Sequence, residues 1–156
     1  MTRTRRLLAA VTVSGVLFAG APTGADLATW DQAKVGDLAK QLADATQALN
    51  DTFYKQPPPG VGSMQSRSYQ QLRQKIRVIR MEAGALSASL AKGEGYEETL
   101  PSYESLMEMV RAARRDAQQV FSTTDVQQKA TAARLVLNQI SPYYDPDAVP
   151  LAPAVR

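Results

Sequence analysis

Apolar residues recur at steps of three and four along four stretches of this chain. Residues 29–54 carry Val35, Leu38, Leu42, Ala45, Leu49 and Phe53. Residues 65–92 carry Tyr69, Leu72, Ile76, Ile79, Ala83, Leu86 and Leu90. A third stretch, from about residue 101, carries Tyr103, Leu106, Val110, Ala113, Ala117 and Val120. A fourth, after Thr124, carries Val126, Ala130, Ala133, Leu137 and Ile140. This spacing lines one face of a helix, and no alternating strand pattern competes with it. The breaks agree with that reading. "KQPPPGVGS" cannot continue a helix, "GEG" ends the second, and Pro142 is expected to stop the fourth. Thr29 with Gln32, and Thr124 with Gln127, have the spacing of capping boxes, and Pro101 is placed as a first-turn residue of the third helix.

The registers fit one another. In antiparallel neighbours, residues at one level have position numbers with a constant sum. Applied to three successive pairs, this gives five layers: Val35/Leu86/Leu106/Ile140, Leu38/Ala83/Val110/Leu137, Leu42/Ile79/Ala113/Ala133, Ala45/Ile76/Ala117/Ala130 and Leu49/Leu72/Val120/Val126. The expected fold is all-α, an up-down-up-down four-helix bundle over residues 26–140, with short connections between antiparallel neighbours. The alanine-rich layer is read as a place of close helix approach, so no internal pocket is expected there.

The ends of the chain differ from its body. Residues 1–25 have a basic start, an apolar run over 7–21 and a small-residue end at Thr23, Gly24 and Ala25. That is the anatomy of an export signal, removed on export or retained as an anchor. "TRRLL" resembles a twin-arginine signal. Residues 141–156 form a proline- and tyrosine-containing tail. Trp30, Tyr96, Tyr143 and Tyr144 are expected to meet at one bundle end. One of Tyr143 and Tyr144 would lid the core while the other, with the tail, points to a partner; both rings serving as lid is the other outcome.

Charge narrows the function. The chain carries 18 basic and 15 acidic residues, and the excess lies in Arg3, Arg5 and Arg6. From Asp26 onward the balance is neutral, which argues against general nucleic-acid binding. With no His and no Cys, imidazole and thiolate metal sites and Cys or Ser–His nucleophiles are excluded. No phosphate-binding glycine loop is present. We read no catalytic site, no metal site and no cofactor from the residues. Arg73, Arg77 and Arg80 follow core positions of the second helix, and Arg111, Arg114 and Arg115 lie on the third. They form either a solvated face that complements helix dipoles or a polar docking face. Glu94, Glu97, Glu98, Glu104 and Glu108 gather towards the opposite end.

One stretch carries a resemblance. "LRQKIRVIRMEA", with Leu72-Arg73 and then Ile79-Arg80, resembles the second helix of the PsbQ family of extrinsic photosystem II subunits, in the form found in red-lineage algae. The four-helix plan, the proline-rich loop and the signal are similar too. The chain lacks the lipid-attachment cysteine of the cyanobacterial branch and the lysine-rich surface of the plant branch. The resemblance implies a non-catalytic subunit in the thylakoid lumen, docked on photosystem II and stabilising the oxygen-evolving complex. Its membrane association would run through that complex or through a retained N-terminal segment. Docking would then fall to Arg73, Arg77, Arg80, Arg111, Arg114, Arg115, Tyr143 and Tyr144. The alternative is an exported periplasmic bundle that binds a small apolar ligand or another protein, marked by a core pocket of a few hundred cubic ångströms.

Overall fold

A computed structural model describes residues 27–60 and 64–152. They form four helices: α1 (Gln32–Lys55), α2 (Met64–Ala91), α3 (Tyr96–Ala117) and α4 (Thr124–Tyr144). There is no strand among the described residues. The expected export signal and the last four residues of the tail lie outside them. No helix among the described residues is long and apolar enough to cross a membrane.

Each helix boundary has a local cause. α1 is capped by the Asp31 carboxylate, which accepts from the Lys34 amide at 3.0 Å. The expected cap at Thr29 is therefore two residues early. Gln32 acts on a different helix. Its side-chain amide donates to the carbonyls of Leu90 and Glu94, at 3.1 and 2.9 Å, and so closes the end of α2. At that end Gly93 adopts φ +89°, and the Gly93 and Glu94 amides return to Leu90 and Ser89. That is a Schellman closure, and it needs the left-handed backbone that glycine allows.

α3 starts five residues before Pro101. The Glu98 carboxylate turns back to the Gly95 amide at 2.9 Å and fixes the first turn, while Pro101 sits inside the helix. α4 is capped by Thr123, one residue before the expected Thr124, and it runs through Pro142 to Tyr144. Pro142 removes one amide but does not end the helix, since the Asp145 amide still reaches Ser141 at 2.9 Å. The proline's carbonyl instead accepts the Ala28 amide at 2.9 Å, tying the chain entering α1 to the end of α4.

The aliphatic layers are buried as expected. Val35, Leu86, Leu106 and Ile140 are fully enclosed, and Leu49, Leu72, Val120 and Val126 close the other end. On α1 the stripe takes Thr46 rather than Ala45. Its hydroxyl donates back to the Leu42 and Ala43 carbonyls of its own helix, so it enters the core without an unpaired donor. Contacts between helix ends give the up-down-up-down course: Phe53 at the end of α1 stacks on Tyr69 near the start of α2, and Trp30 before α1 meets Tyr144 at the end of α4.

One seam departs from expectation. α1 packs on α2 and α4, and α2 packs on α3, but α3 and α4 barely touch. The alanine-rich layer is where they part. Ala130 is exposed, and Ala45 and Ala117 are only half-buried. The expected close approach of helices there is corrected to a cleft.

Candidate functional site

The cleft between α3 and α4 has a volume of about 460 Å³. Its floor is aliphatic: Leu42 and Leu49 come from α1, and Ile76 and Ile79 from α2. Its walls are short side chains, Ala113 and Ala117 on α3 and Ala130 and Ala133 on α4. The reason it stays open lies at its two ends. Helix separation follows the bulk of the side chains at the contact. Towards one end, Tyr103 of α3 stacks on Tyr144 of α4 at 4.3 Å between ring centroids. At the other, Val120 and Val126 fill the turn and the connection is fastened to α1. Bulky residues thus prop both ends, and alanines between them cannot span the gap.

The fastening at the far end was not legible in the sequence. Gln56 follows α1 and is buried. Its amide donates to the Phe121 carbonyl and its side-chain oxygen accepts the Thr123 amide, both at 3.0 Å. Its own carbonyl accepts the Tyr69 hydroxyl at 3.2 Å. One glutamine therefore joins the end of α1, the start of α2 and the α3–α4 connection. The adjoining proline run gave no hint of this.

The aromatic end meets expectation in part. Trp30 lies edge-on to Tyr96 and Tyr144, at 5.9 and 5.4 Å, and Tyr96 stacks over Tyr144 at 5.8 Å. Tyr103, read as an ordinary core position, belongs to this group as well. Tyr143 does not. It is buried beneath Lys34, whose ammonium lies 5.7 Å from the ring centre. The expectation that one of the two tyrosines points outward is corrected: both are buried, because α4 continues past Pro142 and turns both rings inward. Burial raises the pKa of Tyr144 and of Tyr103 above the usual phenol value.

The tail beyond α4 forms the rim of the cleft. Asn138 on α4 takes both main-chain groups of Leu151, accepting its amide at 2.9 Å and donating to its carbonyl at 3.4 Å. Arg134 on α4 donates to the same carbonyl at 2.9 Å. Arg114 on α3 donates to the Ala152 carbonyl at 3.2 Å. The tail thus lies across the opening, with Leu151 and Ala152 among the lining residues.

The structure divides the six candidate arginines. Arg73 lies over the Tyr54 ring at 4.0 Å, and Arg80 donates to Gln47 at 3.1 Å, so both lean onto α1. The Arg80 Nε is buried with no hydrogen-bond partner. Arg114 turns instead towards the tail. Arg77, Arg111 and Arg115 are exposed. Between α2 and α3, Lys75 pairs with Asp116 at 2.6 Å. Among the described residues no group of three or more His, Cys, Asp or Glu is placed to hold a metal ion.

No family model, curated protein or solved structure matches this chain.

Proposed function

We propose that this protein is a non-catalytic binding module that holds one elongated apolar molecule in the cleft between α3 and α4. The supporting observation is the cleft itself. Its 460 Å³ lies within the range of about 300–1,000 Å³ common to small-molecule sites. Leucine and isoleucine make most of the floor and alanines the walls; the one buried polar side chain of the floor, Thr46, spends its hydroxyl proton on its own helix, and the charged groups stand at the rim. The test is titration of the full-length chain with the neutral fluorophore N-phenyl-1-naphthylamine. Saturable binding near one probe per chain is expected. Ala117→Phe fills the gap, and it should abolish binding while leaving the helical circular dichroism intact. Absence of saturable binding to the unsubstituted chain would refute the proposal.

A second reading keeps the PsbQ-like role, an extrinsic subunit docked on photosystem II in the thylakoid lumen. It is favoured by Arg77, Arg111 and Arg115, which are exposed and, among the described residues, in no ion pair. Salt-sensitive co-purification with photosystem II cores would support it, and association that is absent at low salt would end it.

A further inference from the structure

We propose that the occupant of the cleft is a single-chain amphiphile with a carboxylate head, held by Arg114 and Arg134. This rests on the binding-module reading and adds the chemistry of the ligand. The two arginines stand on opposite walls, one on α3 and one on α4, and both line the cleft. Their guanidinium groups converge on consecutive carbonyls of the tail, Leu151 and Ala152. Among the described residues neither is in an ion pair. Two permanently charged groups therefore meet at the mouth of an apolar cleft, where their hydrogen bonds run to neutral carbonyls.

The charge of the head follows from that imbalance. A guanidinium has five N–H donors, and each tail carbonyl engages one of the two forks through a single hydrogen bond. Donors remain for a further acceptor, and hydrogen bonds to a charged acceptor are roughly twice as strong as neutral ones. The shape of the head follows from the acceptors already seated. The arginines take two sp² oxygens, one each. A carboxylate also presents two sp² oxygens, one for each guanidinium. Below the arginines the lining is aliphatic, with Leu42, Ile76 and Ile79 at the floor, which suits a hydrocarbon chain. Asn138 holds the tail through its main chain alone, so the strap keeps its place when the arginines turn to a ligand.

The experiment displaces bound N-phenyl-1-naphthylamine from the full-length chain with dodecanoate, dodecanol, dodecylammonium and dodecyl phosphate at low salt. Dodecanoate should displace the probe at a concentration about tenfold or more below dodecanol, the scale of a charge-assisted hydrogen-bond pair. Dodecylammonium should be weaker than both. The double variant Arg114→Gln/Arg134→Gln, with each displacement referred to the variant's own probe affinity, should bring dodecanoate and dodecanol within about twofold of each other. If that variant does not fold, Arg134→Lys alone, which keeps the charge and loses the fork, should still narrow the gap. Equal displacement by dodecanoate and dodecanol would overturn the assignment of the head while leaving the cleft as a binding site. Preference for dodecyl phosphate over dodecanoate would overturn the carboxylate. A probe that never binds would overturn the binding module itself, and this inference with it.

Discussion

Tyr144 offers a direct test of how the bundle is closed. Its side chain is only 4% exposed, stacked on Tyr103 and Tyr96 and edge-on to Trp30. Its hydroxyl lies 2.8 Å from that of Thr99. The direction of this bond follows from counting. Thr99 has one proton, and its hydroxyl donates to the Gly95 carbonyl at 2.7 Å. Tyr144 must then donate to Thr99. Tyr144→Phe removes that donor and leaves Thr99 with its own proton still placed, so the loss is one ordinary hydrogen bond, about 0.5–1.5 kcal/mol. Tyr144→Ala also removes a buried ring from between two helices, at about 3–5 kcal/mol.

Urea unfolding followed by circular dichroism measures both. Trp30, the single tryptophan, reports from within the cluster. Its emission should shift to the red in Tyr144→Ala and stay in place in Tyr144→Phe. The refuting result is a cost below about 0.5 kcal/mol for Tyr144→Ala, the range of an uninvolved surface position.

Gln56→Ala should destabilise the protein by about 1–3 kcal/mol, because it removes the hydrogen bonds to the half-buried Thr123 amide and to the Phe121 carbonyl; thermal unfolding checks this. Stability should also fall in alkali. Burial raises the Tyr103 and Tyr144 pKa values in the folded state, so the folded chain keeps protons that the unfolded chain gives up. The contribution is complete below the unfolded phenol value of about 10 and is lost as pH rises from there through the folded values. Urea midpoints from pH 8 to 11 should show that fall, and it should be shallower in Tyr103→Phe/Tyr144→Phe.

The periodic part of the fold was legible. Positions repeating at three and four residues placed every helix, and the constant-sum rule found the buried layers at both ends of the bundle. What it left out has a physical cause. The rule assigns residues to levels along the axis and says nothing of the distance between axes at each level. Alanine facing alanine fits two helices in close contact and equally two helices held apart. The choice is made by Tyr103 against Tyr144 some turns away, and by Gln56 at the far end. Helix boundaries erred for a related reason. Thr29, Thr124, Pro101 and Pro142 are good local signals, but Asp31, Glu98 and Thr123 reached the free amides first, and tertiary contacts carried α4 past its proline. The rim was the least legible part. Arg134 and Asn138 look like solvated helix residues until the tail is laid against them.

The size of the cleft bears on what it can be. At about 24 cal/mol per Å³, a sealed dry void of 460 Å³ would cost roughly 11 kcal/mol. That is comparable to the whole stability of a domain, about 5–15 kcal/mol. A packing defect of this size would not survive in an ordinary core. The fold accommodates it because the α3–α4 side opens to the rim, and because the seams of α1 with α2 and α4, and of α2 with α3, carry the packing. The same arrangement makes the cleft separable from the fold. Filling it with an apolar chain adds contacts without disturbing a packed seam, so ligand binding should add stability and leave the helices where they are. The residues that prop the cleft open, Tyr103, Tyr144 and Gln56, are not those proposed to recognise a ligand, Arg114 and Arg134. Substitutions in the first set should therefore lower stability and, where they let α3 and α4 close, binding as well, whereas those in the second should act on binding.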